Sequence, residues 1–289
     1  MKRRAVGLAI VGLVAAFPVH ADDDARAIVE KAFEAARANE AIARDYVYHE
    51  RIEETRYNKK GEVKKRESQT WDVTLLDYSE YRRLIAKNDG PLFPETAAKE
   101  QRKLEKQLEK MRTETPKKRK KRLAKIEKGR KEGEAFLEEI TKAFDFRLTG
   151  EEEIGGVATH VISFTPKESY KPRSREAKVL PKVRGTLWVS KGDYGWVQAD
   201  MQTIGNIRWM VIFKLNEGAR VRFTQRKHND EVWLTDNWYV RIKARVAFVK
   251  FDGEVHGSYS NFRKFTTDTT PSLGEAGGRP RSHAAGPLR

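Results

Sequence analysis

The sequence predicts an α+β protein, mainly antiparallel β, in which a curled, incomplete β-barrel carries an N-terminal helix and an inserted helical hairpin. Three observations predict it. Most of the chain alternates apolar and charged residues with period two, between turns rich in Gly, Asn and Asp. Residues 25–44 and 94–143 instead place apolar residues three and four apart, the spacing of a helix face. The alternating segments number about ten or eleven, which overfills a flat sheet and calls for curling.

The chain opens with Lys2, Arg3 and Arg4, then an uncharged run from Ala5 to Phe17, then Pro18 and the small-residue site Val19-His20-Ala21. That is the layout of a cleavable export signal over residues 1–21, with cleavage between Ala21 and Asp22. The apolar run falls short of the roughly 20 residues that cross a bilayer. A periplasmic location follows as the expectation. Cysteine is absent, which excludes disulfides, thiol catalysis and a lipid-carrying cysteine. No Asn-x-Ser/Thr acceptor is present either.

After Asp22-Asp23-Asp24, the stripe Ile28, Phe33, Ala36 and Ile42 predicts a helix, with Asp24 as its cap. The period changes at Asp45. Tyr46, Tyr48, Glu50 and Ile52 alternate with polar neighbours, Asn58 to Gly61 turns the chain, and Val63 to Leu75 alternates again. A third strand runs from Tyr81 to Lys87 and ends at Asn88-Asp89-Gly90-Pro91. The hairpin at 94–143 carries Leu104, Leu108 and Met111, then Leu123, Ile126, Leu137 and Ile140, and bends near Thr115-Pro116. Its apolar seam is thin, so it projects from the body or lies across it.

From Phe144 onward the chain reads as β. Strands follow Gly155-Gly156, then a polar loop over 166–181, then Val183 to Val189. Further strands occupy Trp196 to Thr203, Ile207 to Leu215 as one run, and Val221 to Arg226. The cleanest alternation spans Trp238 to Phe248, and a closing strand reaches Phe265. Residues 266–289 have no period and read as a disordered tail. The domain is therefore expected over residues 22–265, with 94–143 inserted in it. Strands apolar on one face and charged on the other describe a sheet wet on its outer side. The inner face must pack on itself, on the N-terminal helix or on a ligand.

The formal charge is +16, but it is unevenly spread. Between Lys99 and Glu132 there are 16 Lys and Arg against 6 Asp and Glu, so the rest of the mature chain is close to balance. The run Lys117, Lys118, Arg119, Lys120, Lys121 and Arg122 would indicate nucleic acid in an intracellular protein. Behind an export signal it points instead to an anionic membrane surface or an envelope partner, and away from nucleic acid. A solvated helix face is the alternative. The histidines His49, His160, His228 and His256 are scattered, with no metal-ligand spacing, and no nucleophile elbow or phosphate-binding loop is present. No catalytic residue, metal or cofactor is therefore expected, and the chain reads as non-enzymatic.

An open barrel with too little helix to plug it leaves a concave apolar surface suited to acyl chains. Its candidate lining is Trp71, Val73, Leu187, Val189, Trp209, Val211, Phe213, Val240, Ile242 and Phe248. The order of parts resembles the outer-membrane lipoprotein-sorting (LolA-like) family. The stretch from Ala25 through the Asp45–Lys87 meander resembles that family's opening helix and strands, and Arg184 to Ser190 with the strands to Phe265 resembles its later barrel. The resemblance is architectural and covers most of the mature chain. It implies an apolar cavity for a lipid or acyl ligand, a role in lipid or lipoprotein transport or envelope sensing, and no enzymatic activity. The hairpin at 94–143 departs from the family as an insertion. The other reading is a packed barrel that acts as an interaction or signalling module through that hairpin.

Overall fold

A computed structural model describes residues 21–77, 79–209, 213–246 and 249–265. The predicted export signal, apart from Ala21, and the predicted tail lie outside the described residues.

Helix α1 (Ala21–Ala43) leads the chain. The described helix starts before Asp24, so Asp24 lies within it and is not the cap expected from the sequence. A meander follows: β1 (Tyr46–Tyr57), β2 (Val63–Leu76), β3 (Ser79–Lys87) and the short β4 (Gly90–Pro91). Helices α2 (Pro94–Arg112) and α3 (Pro116–Ala143) come next. Pro94 and Pro116 occupy the first turns, where a missing N–H costs nothing, and Thr115 caps α3 by accepting from Lys118 N. The second run of strands is β5 (Phe144–Ile154), β6 (Val157–Pro166), β7 (Val183–Ser190), β8 (Trp196–Thr203), β9 (Ile207–Trp209), β10 (Phe213–Leu215), β11 (Arg220–His228), β12 (Val232–Val246) and β13 (Val249–Lys264).

All thirteen strands form one antiparallel sheet in the order β4-β3-β2-β1-β13-β12-β11-β8-β7-β6-β5, with β9 and β10 hung from β12. The central seam joins the two ends of the chain: β1 pairs along β13 with Glu50 opposite Tyr259. The outermost strands, β4 and β5, do not pair, so the barrel is incomplete. The segment linking those two edges is α2–α3. Helix α2 packs on β3, while α3 reaches α1 and the 3-10 turn Glu176–Lys182. The hairpin thus lies across the molecule as a strap from one sheet edge to the other.

Helix α1 fills one half of the concave face. Ala25, Val29, Ala32 and Phe33 pack against Phe144, Phe146, Ile162, Phe164, Leu187, Val189 and Ala199 of β5–β8. Phe33 meets Trp196 edge-on, with ring centroids 5.2 Å apart. The alanines let the helix approach closely, and each fully buried Val, Leu or Phe contributes roughly 1.5–3 kcal/mol of burial.

Three local features differ from the sequence expectation. Residues 207–215 are not one strand: β9 and β10 pair antiparallel with each other, with Trp209 opposite Phe213. Alternation runs unbroken through both arms, so the reversal leaves no mark on the period. Strand β12 begins at Val232, not Trp238, and a bulge between Thr235 and Asn237 shifts its register against β11. The loop expected over 166–181 ends in the 3-10 turn, whose Ala177 and Leu180 are buried in the core.

Candidate functional site

Between the sheet and the C-terminal half of α1 lies a pocket of about 440 Å3. Its roof is the C-terminal half of α1, through Ala35, Ala36, Asn39, Glu40 and Ala43, with Arg44 just beyond the helix and Leu137 of the strap. Its floor and walls come from Tyr48, Glu80, Gly195, Trp196, Gln225, Trp233, Leu234, Thr235, Tyr259 and Phe262. Small residues on the helix and large aromatics on the sheet leave the space between them.

Each aromatic is held by a specific contact. Tyr48 lies edge-on to Tyr259 at 5.1 Å and tilted against Phe262 at 5.9 Å. Trp196 donates Nε1 to the Ala32 carbonyl at 3.1 Å and stacks on Phe223 at 6.1 Å. Trp233 donates Nε1 to Asp193 at 3.0 Å. Its backbone is clamped by Asn39 of α1, which donates to the Trp233 carbonyl at 2.8 Å and accepts from its N–H at 2.7 Å. The indole lies against Gly195, where an added Cβ would fall 2.1 Å from Nε1. Glycine here permits close approach of a ring.

The polar rim is acidic on balance. Arg44 donates to Glu40 at 2.5 Å. Arg82 donates to the buried Glu50, which also accepts from the Tyr259 hydroxyl at 3.1 Å. Tyr48 donates to Glu80 at 3.4 Å, and among the described residues no cation pairs with Glu80. Burial, with Glu80, Tyr259 and Glu50 close by, pushes the Tyr48 phenol far above its ordinary value. Burial and the Glu50 carboxylate push Tyr259 up to about 12. Burial would raise Asp193, yet hydrogen bonds from Lys227, Ser190, Trp233 and the Gly195 backbone outweigh it and hold the carboxyl at about 2.

The strap is fastened at its far end. Asp77, in the turn after β2, receives Arg119 at 2.8 Å and also pairs with Arg122, which reaches Glu114 at 2.9 Å and the Asp77 carbonyl at 2.9 Å. The two guanidiniums hold the Asp77 carboxyl well below the usual carboxylate range. Two residues of the basic run therefore anchor α3, whereas Lys117, Lys118, Lys120 and Lys121 are exposed.

The candidate lining residues are spread over the fold. Leu187 and Val189 are core residues under α1, and Val73 is buried. Trp71 lies beside Ile52, Gln69 and Arg82 in a second groove of about 280 Å3, with the Arg82 guanidinium 5.3 Å from its ring. Val240 and Ile242 are half-buried farther along β12. None of these six lines the 440 Å3 pocket. The side chains of Trp209, Val211, Phe213 and Phe248 lie outside the described residues. The pocket's own aromatics, Tyr48, Trp196, Trp233, Tyr259 and Phe262, are ones that sequence reasoning did not choose. All five fall in segments read as strands, but nothing local marks strands so far apart in the chain as neighbours. Among the described residues, no group of three His, Asp or Glu is placed to hold a metal, and no helix is long and apolar enough to cross a membrane.

No family model matches the chain, and no curated protein matches it. Solved structures are similar to it. A LolA superfamily protein from Nitrosomonas europaea is 10% identical, with TM-score 0.34, covering 84% of this chain and 93% of that one. A putative outer membrane lipoprotein-sorting protein domain from Vibrio parahaemolyticus is 11% identical, with TM-score 0.29, covering 84% and 95%. A chain of the Pseudomonas aeruginosa MucA/MucB complex is 11% identical, with TM-score 0.24, covering 84% and 99%. At these scores the likeness says nothing of ligand or partner. The architecture itself is an open antiparallel sheet with an N-terminal helix and two inserted helices.

Proposed function

We propose that this is a periplasmic, non-enzymatic protein that holds the apolar chain of a lipid or acyl ligand between α1, α3 and the concave face of its half-barrel. One observation carries the reading: a pocket of about 440 Å3, walled by five aromatic rings and roofed by alanines, where the sheet, α1 and the strap meet. Its volume lies within the roughly 300–1,000 Å3 of small-molecule sites, and its few polar groups sit at the rim, as such sites require. The strap bears on the same pocket through Leu137, so chain entry involves α3 as well as α1.

The four exposed lysines of α3 favour a further part of the reading. Lys117, Lys118, Lys120 and Lys121 would bring the strap against an anionic membrane surface or envelope partner while Arg119 and Arg122 hold it to the sheet. A role in lipid or lipoprotein transport, or in envelope sensing, would join these two surfaces.

The test is native mass spectrometry of the full chain purified from the periplasm, with titration of a fluorescent alkyl probe. One bound chain per protein is expected. Ala36→Trp, which fills the pocket from the helix side, is expected to abolish probe binding while circular dichroism and the melting curve stay near wild type. No bound lipid and no probe uptake by the wild type would overturn the reading.

A further inference from the structure

The charge balance at the pocket rim carries information about the ligand's polar end. Three charged side chains line the pocket, Glu40, Arg44 and Glu80, and Arg44 pairs with Glu40. Just outside it, Arg82 pairs with Glu50, and Arg130 of α3, which feels Glu40, pairs with Glu127 and Glu134. Glu80 is left over. It lines the pocket, and its contact there is the Tyr48 hydroxyl, which donates to it at 3.4 Å. Both tyrosine hydroxyls point at carboxylates, Tyr48 at Glu80 and Tyr259 at Glu50. Their rings, with Phe262, form a cluster with centroids 5.1 and 5.9 Å from Tyr48.

An electron-rich aromatic cluster beside an uncompensated carboxylate is the chemistry that holds an ammonium group. Ring faces attract a cation through their quadrupole, and partial desolvation strengthens the attraction. A carboxylate head would meet the opposite. Placed at this rim it would face the exposed Glu80 carboxylate, with the Arg44 and Arg82 guanidiniums already engaged. The inference rests on the pocket being the chain-binding site.

We propose that the pocket prefers an amphiphile that ends in an ammonium group, with Tyr48, Tyr259 and Phe262 facing the cation and Glu80 supplying the counter-charge. The strongly basic composition of the whole chain points the other way, toward anionic ligands, but that charge belongs to the strap and not to this rim.

The experiment is isothermal titration of the full chain with three ten-carbon probes below their micelle concentrations: decyltrimethylammonium, decanoate and decanol. Decyltrimethylammonium is expected to bind at least tenfold more tightly than decanoate at low salt. Glu80→Gln should weaken the ammonium probe more than decanol and bring that ratio to within about threefold. Phe262→Leu, which keeps an apolar wall, should weaken the ammonium probe more than decanol. If decanol binds but the ammonium probe has no advantage over decanoate, the head-group inference fails and the chain pocket stands. Should the ammonium preference survive Glu80→Gln and Phe262→Leu unchanged, the assigned residues are wrong. If none of the three binds, the chain pocket itself fails.

Discussion

Replacing Asn39 with alanine tests how α1 is held over the pocket. The Asn39 amide makes two hydrogen bonds to the Trp233 backbone, at 2.8 and 2.7 Å, both partly buried. Each bond contributes about 1 kcal/mol net, and a partly buried backbone group left without a partner costs a further 1–3 kcal/mol. Alanine removes both bonds and strands one N–H and one C=O, although water reaching the pocket side can take up part of that loss. The expected destabilisation is therefore roughly 2–4 kcal/mol, an effect large enough to be tied to a broken polar network. For a domain of this size, about 3 kcal/mol corresponds to a fall in Tm of roughly 6–12 °C. Urea denaturation followed by tryptophan fluorescence measures the change directly. Glu34→Ala, an exposed site on the same helix, is the control and should stay within about 0.5 kcal/mol of wild type. If Asn39→Ala also stays within that range, the clamp does not secure the helix, and the account of the pocket roof is wrong.

Other substitutions test the remaining contacts. Gly195→Ala would put a Cβ 2.1–2.6 Å from three atoms of the Trp233 indole, so the ring must move; loss of at least ~1–3 kcal/mol in urea unfolding and weakened probe binding are expected. Asp193 has a folded pKa of about 2, below its unfolded value, so its stabilisation is present above about pH 4 and is lost as pH falls toward 2. Asp193→Asn should be less stable than wild type at neutral pH and should lack that part of the acid-induced loss, read from melting curves between pH 5 and 2. Changing Lys117, Lys118, Lys120 and Lys121 together to Glu should abolish flotation with anionic vesicles. At about 1 kcal/mol for each basic residue near such a surface, removing the four lysines alone costs roughly a thousandfold in affinity. Unchanged flotation would mean that α3 does not face the membrane.

The parts of the fold that read directly from sequence are those governed by a local period. Alternation marks β1–β3, β6–β8 and β11–β13, and the 3–4 spacing of Leu104, Leu108 and Met111, and of Leu137, Ile140 and Phe144, marks the strap. What escaped reading depends on contacts between distant residues. Tyr48 meets Tyr259 and Phe262 because β1 pairs with β13, more than 200 residues later, and neither strand announces its partner. Choosing the pocket lining by residue type instead favoured Leu187 and Val189, which α1 covers. The basic run illustrates the same limit. Arg119 and Arg122 lie three apart on one helix face, a visible spacing, but their acceptor Asp77 sits in a turn some 40 residues earlier. The β9–β10 reversal is hidden for a different reason: both arms keep one alternation, so the fold-back does not disturb the pattern.

The central claim is that an apolar chain lies against the aromatic wall of the concave pocket, and quenching of tryptophan fluorescence by a brominated alkyl chain tests it most directly. Trp196 and Trp233 line the pocket, while Trp71 and Trp188 lie elsewhere on the sheet. Saturable quenching in the wild type, largely lost in the Trp196→Phe, Trp233→Phe double variant that still binds the chain, is the result expected. Absence of quenching, or quenching that the double variant leaves unchanged, would contradict the claim.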